Sequence, residues 1–369
     1  MNFLKKIIAA TVTLFTTISM ALPDDSAAKD FGPTPMHKLA VDVIDTGGTL
    51  IFSDSPEYVR GNGILYSDTI SGDARILFYH LNATGVNKKL AVVVENAYPL
   101  ENKIEITRGG ISLPDNNFLS VGKATQFMYM KNNFKESFTL QKGERKLFQP
   151  EMNDLVISPG HLIYGVYDFN AANPVKISVM MYPATSDPLT FIDGATILPK
   201  DNYKMRGTFK RMNRSIRLQK DYDPKVDGIG YVLIGDNVTD FFKRGIDATD
   251  GEEVVNYGNY GVNYTIDFHT KALTRFCLSP LGGKYAGAVR FHHDGMSGTI
   301  PTPEDRIYFG DRTPREPESV KRARENGNAT FSMQTEITEL GIYNGNVSFE
   351  YSPPGASNLP VHIILMPAD

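Results

Sequence analysis

Val175, Ile177 and Val179 alternate with Lys176 and Ser178 along VKISVM, and this two-residue period most constrains how the chain can fold. Side chains on an extended backbone point to opposite faces in turn, so such a segment buries one face and wets the other. KIEIT at Lys103–Thr107 repeats the pattern, and RILFYHL, KLAVVVEN and HLIYGVY add short apolar runs separated by turn residues. This spacing predicts about seven to nine strands before Pro183, as in a β-sandwich. The 32 Gly, 22 Pro, 18 Tyr and 21 Phe among 369 residues also favour strands and tight turns over long helices. The expectation is an all-β fold.

One stretch departs from alternation. FLSVGKATQFMYMKNN, residues 118–133, is rich in helix formers and predicts a short helix across one end of the first sandwich. Its GKAT is not a phosphate-binding loop, because position 117 is Asn where that motif needs Gly, and Ala124 replaces the magnesium-binding Ser or Thr. The chain is long enough for two cores, and PATSDPLTFIDGATILPKD at 183–201, with three prolines and no period, marks the boundary between them. Two β-sandwich-like domains are therefore expected, at 38–183 and 200–369. In the second, RSIRLQK, GYVLIGD, VNYTIDF, TRFCLS, AVRFHH, TFSMQTEI, NVSFEY and VHIILM read as strands, and 309–328 as a solvated loop of mixed charge.

The N-terminus places Lys5 and Lys6 before an apolar run that stops at Pro23, with Ser19 and Ala21 at the −3 and −1 positions of a cleavage site. This is the pattern of a secretory signal peptide over residues 1–21, and its apolar run of about 16 residues is short for a membrane span. The expected protein is secreted or held in the cell envelope, with no membrane span after cleavage. A single cysteine, Cys277, leaves no internal disulfide, which suits a bacterial envelope protein. The net charge of −4 gives no general attraction for nucleic acid. Six Asn-x-Ser/Thr sequons, the first at Asn82 and the last at Asn346, would accept glycans only in a eukaryotic source.

Chemistry-bearing residues are few. AVRFHHDG sets His292 beside His293, but on a strand the two point to opposite faces, and Asp294-Gly295 is the pair preferred in a tight hairpin turn. Asp267 and His269 share a face in YTIDFHT, and His292 from a neighbouring strand could join them, so Asp267, His269 and His292 are the candidate metal ligands. For carbohydrate stacking the candidates are Tyr257, Tyr260 and Tyr264 in NYGNYGVNYT, in a chain without Trp. No Gly-x-Ser-x-Gly or His-Glu-x-x-His motif occurs, and Cys277 sits in an apolar strand. No catalytic residue and no cofactor is expected.

The run SDSPEYVRGNGILYSDTISGDARILFYHLNATG, followed by KLAVVVENAYP, ITRGG and FLSVGKA, resembles a segment of exported bacterial proteins of unassigned role. Some of these are labelled as copper amine oxidase N-terminal domain-containing. The likeness covers roughly residues 50–125, and more loosely GNYGVNYTI, LGGKYAGA and PPGASNLPV. It implies export and a strand framework. It implies no oxidase activity, because true copper amine oxidases build their cofactor from Tyr in an Asn-Tyr-Asp/Glu setting. Here Asn202-Tyr203, Asn256-Tyr257, Asn259-Tyr260 and Asn263-Tyr264 continue with Lys, Gly, Gly and Thr. The functional expectation is an exported non-catalytic binding or structural protein whose partner is a cell-wall or extracellular polysaccharide, or another envelope protein. The alternative is a carbohydrate-active or metal-using extracellular enzyme.

Overall fold

The structure, a computed structural model, describes residues 34–131, 134–281, 283–304, 307–309, 330–331 and 337–368. The signal peptide expected at 1–21, most of the loop expected at 309–328 and most of the strand expected at 330–337 lie outside these residues. Strand makes up 54% and helix 10%, an all-β fold. Among the described residues no helix is long and apolar enough to cross a membrane.

Two long strands organise the first lobe. β3 (Gly63–Asn82) and β8 (Leu162–Pro183) run antiparallel along most of their length, and the register breaks between Ala171 and Val175 opposite Gly72. Gly72 takes a φ of 78°, a backbone conformation that other residues seldom adopt. Before that break β8 pairs with β5 (Asn102–Ile111), and after it with β4 (Lys88–Asn96). β2 (Thr49–Ser53) lies parallel to β3, with Ile51 beside Ile76. The sheet folds over at the break. Ile51, Ile76, Phe78, Ile104 and Ile163 from one leaf pack on Leu90, Val92, Val94, Ile177 and Val179 from the other.

The second lobe uses the same device. β14 (Asn263–Pro280) pairs with β17 (Thr338–Tyr351), and the register shifts between Thr270 and Thr274. β10 (Asn213–Leu218) runs parallel to the first half of β14, while β18 (Val361–Pro367) pairs with its second half. The hairpin of β15 (Gly287–His293) and β16 (Met296–Thr302) flanks β17. Its turn is Asp294-Gly295, with φ of 47° and 77°, so a two-residue turn accounts for the aspartate.

Sheet membership does not divide at 183–201. β1 (Val41–Thr46) belongs to the second sheet and pairs with β10, whereas β9 (Arg206–Lys210) pairs with β2 in the first. β12 (Arg244–Ile246) and β13 (Glu253–Val255) extend that edge. Residues 188–194 form helical turns, and Leu189, Phe191 and Ile192 pack against Met180 and Tyr182.

The crossing strands bring one leaf of the first sheet against the second lobe, so RILFYHL is buried on both faces. Ile76 and Phe78 face the first core; Leu77 and Tyr79 face a second core shared with Ile216, Ile266, Phe268, Phe349 and Ile363. Helix α1 (Phe118–Lys131) adds Val121, Tyr129 and Met130 to the shared core. Full burial of each such aliphatic or aromatic side chain contributes about 1.5–3 kcal/mol. A Cβ on Gly122 would strike the carbonyl oxygen of Gly355, so the glycine of GKAT lets α1 approach the second lobe.

Candidate functional site

A cleft of about 880 Å³ opens where the lobes meet. Phe52 of β2, Leu77 and Tyr79 of β3, and Tyr164 of β8 form its floor; its walls come from residues 202–205, 253–260 and 355–358. Asp201 ties the turn at 55–57 to the wall segment 202–205. Its carboxylate accepts from the Ser55 hydroxyl and the Glu57 amide at 2.9 Å each, and from the amides of Tyr203 and Lys204 at 3.0 and 3.1 Å. Arg206, buried, donates to Asp247 at 2.8 Å and to the carbonyls of Ser55, Leu65 and Leu198, which fixes the base of the same wall.

Among the described residues Asp54, Glu57 and Glu253 are the carboxyls that line the cleft, and the first two are perturbed. Burial, and then the neighbouring charges of Glu57 and Asp201, push the Asp54 carboxyl well above its ordinary value. Glu57 is raised by burial and then by Asp201. Asp54 Oδ1 is closed to solvent without a hydrogen-bond partner among the described residues. Beneath them His80 bridges the Ser53 hydroxyl at 2.8 Å and the Pro56 carbonyl at 2.9 Å. A carbonyl only accepts, so Nδ1 carries the proton and Nε2 accepts from Ser53. Burial lowers this imidazole to about 4, and with both residues shut away from solvent the Ser–His pair braces the floor.

The three stacking candidates separate. Tyr257 lines the cleft and is 54% exposed. Tyr260 also lines it, and its hydroxyl donates to the Ser357 carbonyl at 2.7 Å, joining two wall loops. Tyr264 is core: its hydroxyl donates to Asp240 at 2.7 Å and accepts from Asn259 at 2.9 Å. Tyr203, on a separate wall segment, is 73% exposed. Sequence reasoning did not single out Tyr203, Asp54 or Glu57 as site residues, because SDSPE and DNYK carry no motif and only the fold brings both segments to the cleft.

The metal candidates lie on one face of three adjacent strands. Asp267 and His292 both register with Ser348, from opposite sides, which separates them by two strand spacings, about 10 Å. Each is engaged elsewhere: Asp267 with Arg217 at 3.1 Å, His269 with Asn346 Oδ1 at 2.7 Å, and His292 with Glu350 at 2.8 Å. His293 turns away to the Asn346 carbonyl at 2.9 Å. Among the described residues no group of three His, Cys, Asp or Glu side chains is placed to hold a metal ion. Burial pushes the Cys277 thiol up to about 12.

No family model and no curated protein matches the chain. Among solved structures, the human CUB1-EGF-CUB2 domain of MASP-1/3 aligns at 9% identity over 89% of this chain and 99% of that one, with a TM-score of 0.18. The PBSX exported protein XepA aligns at 8% identity over 94% and 89%, with a TM-score of 0.12. Likenesses of this size carry no argument about fold or function.

Proposed function

We propose that the protein is an exported carbohydrate-binding protein of the cell envelope or its surroundings, and that the cleft between the lobes receives a polysaccharide chain without cleaving it. The observation that carries this reading is the exposure of Tyr203 and Tyr257 on the walls of one cleft floored by Tyr79 and Tyr164. Large aromatic faces held open to solvent stack on the apolar faces of sugar rings. Asn202, Asn358, Glu57 and Glu253 stand beside them to bond hydroxyl groups. The signal-peptide pattern read in residues 1–21 supports export.

A second reading, hydrolysis of the bound chain, draws on Asp54 and Glu57, since carboxyls raised by burial are suited to act as general acids. One experiment separates the two. The protein is incubated with cell-wall and polysaccharide fractions, and co-sedimentation is measured together with release of soluble sugars. Retention without release, weakened about threefold to tenfold by Tyr203→Ala or Tyr257→Ala, supports binding. Release that Glu57→Gln abolishes would replace this reading with an enzyme; no retention and no release would reject both.

A further inference from the structure

A second cleft of about 890 Å³ adjoins the first, and Val255 and Tyr257 line both. Its chemistry differs. Lys210, Arg211, Arg214, Lys243 and Arg244 face it, with Asp45 as the one lining carboxylate. Arg214 and Lys243 share Asp45 at 2.7 and 2.8 Å, Arg214 also bonds the buried Asp240, and Arg244 pairs with Glu253 at 3.0 Å. Lys210 and Arg211 are exposed and have no hydrogen-bond or ion-pair partner for their side chains among the described residues. Once Asp45 and the paired Asp240 and Glu253 are set against the five cations, a surplus of two positive charges is left at the cleft, in a chain whose net charge is −4. Arg211 also holds a φ of 60°, a conformation that Gly or Asn adopts at less cost.

Aromatic surface accompanies these charges. Phe241 is 65% exposed at the cleft, and Phe242 meets Tyr257 edge to face at 6.1 Å. Free cations beside open ring faces fit a ligand that is both ringed and anionic. Resting on the carbohydrate reading above, we infer that the sugar chain continues past Tyr257 into this second cleft, and that the ligand is an acidic polysaccharide whose carboxylates meet Lys210 and Arg211. Tyr257 stands at the passage between the aromatic first cleft and the cationic second one.

The test uses one polymer in two charge states: polygalacturonate, and the same polymer fully methyl-esterified. Binding of the protein to each is measured at low and high salt, with single-stranded DNA as a third ligand. The expected result is about a threefold to tenfold preference for polygalacturonate at low salt, the size of two exposed ion-pair contacts. That preference falls at high salt and disappears in the Lys210→Gln/Arg211→Gln variant, whose fold is checked by circular dichroism. Equal binding of both polymers overturns the acidic-ligand inference while leaving the carbohydrate reading intact. Binding of neither polymer, when DNA also fails to bind, overturns both readings, and tighter binding of DNA than of polygalacturonate overturns the inference in favour of a nucleic acid.

Discussion

Arg75 holds Asp168 through two hydrogen bonds, 2.6 Å from Nε and 2.9 Å from Nη2. The same guanidinium donates through Nη1 to the carbonyls of Met212 and Gly261, at 3.0 and 2.9 Å, on the second-lobe side of the shared core. Tyr129 of α1 donates to Asp168 from 3.0 Å. One buried charge therefore sets the lobes in register, and with them the walls of the cleft. Removing one partner of a buried pair leaves the other uncompensated. Asp168→Ala is expected to cost about 3–5 kcal/mol in urea unfolding, and Arg75→Met combined with Asp168→Ala to cost less than the sum of the two single changes.

Glu350 accepts from Arg108 at 2.7 Å and from His292 at 2.8 Å. Burial alone would raise this carboxyl, but Arg108, His292 and Asn263 hold it at about 2, below its ordinary 4.5. A depressed carboxylate contributes stability above its unfolded value and loses it as the pH falls through the folded one. Stability should therefore drop between about 4.5 and about 2. Glu350→Gln should cost about 3 kcal/mol at neutral pH and flatten that acid limb in denaturant melts taken across the pH range.

Asp54 carries the opposite sign. Its folded carboxyl is raised by burial and by Glu57 and Asp201, so the folded state binds the proton more tightly than the unfolded chain does. Its effect on stability grows more unfavourable as the pH rises from the unfolded value through the folded one. Asp54→Asn should stabilise the protein at neutral pH by about 1–3 kcal/mol, because the amide carries no charge to keep buried beside Glu57 and Asp201. The gain should vanish in acid; equal gains at both pH values would contradict the assignment.

Gly122 and Gly355 meet where α1 packs on the second lobe, and a side chain at either has no room. A Cβ on Gly355 would press on the rings of Tyr79 and Tyr164 at 2.9 and 3.1 Å. Gly122→Ala is expected to lower stability by about 1–3 kcal/mol through overpacking. Gly355→Ala should in addition weaken polysaccharide retention, because the rings it displaces floor the cleft. Thermal melts and co-sedimentation of the two variants would check both effects.

Much of the local structure was legible in the sequence. Alternation in VKISVM and KIEIT, helix formers from Phe118, and Asp-Gly after HH are signals carried by neighbouring residues. The strands, α1 and the Asp294-Gly295 turn follow them. Those signals come from side-chain direction and turn conformation, which a few consecutive residues settle by themselves. Pairing across distance left no such trace. Nothing local tells β9 to join β2, or β1 to join β10, since Thr208 and Ile51 share only a register. RILFYHL has an apolar residue on each face, but whether a second lobe covers Leu77 and Tyr79 depends on where the crossing strands carry that lobe. The cleft is further still from local sequence: Asp54, Tyr203, Tyr257 and Gly355 come from four separate segments. Sequence alone determined the strands, the turn and the lean of the composition. Tertiary structure alone decided which turns face one another, because burial and charge act through space between residues that the chain keeps far apart.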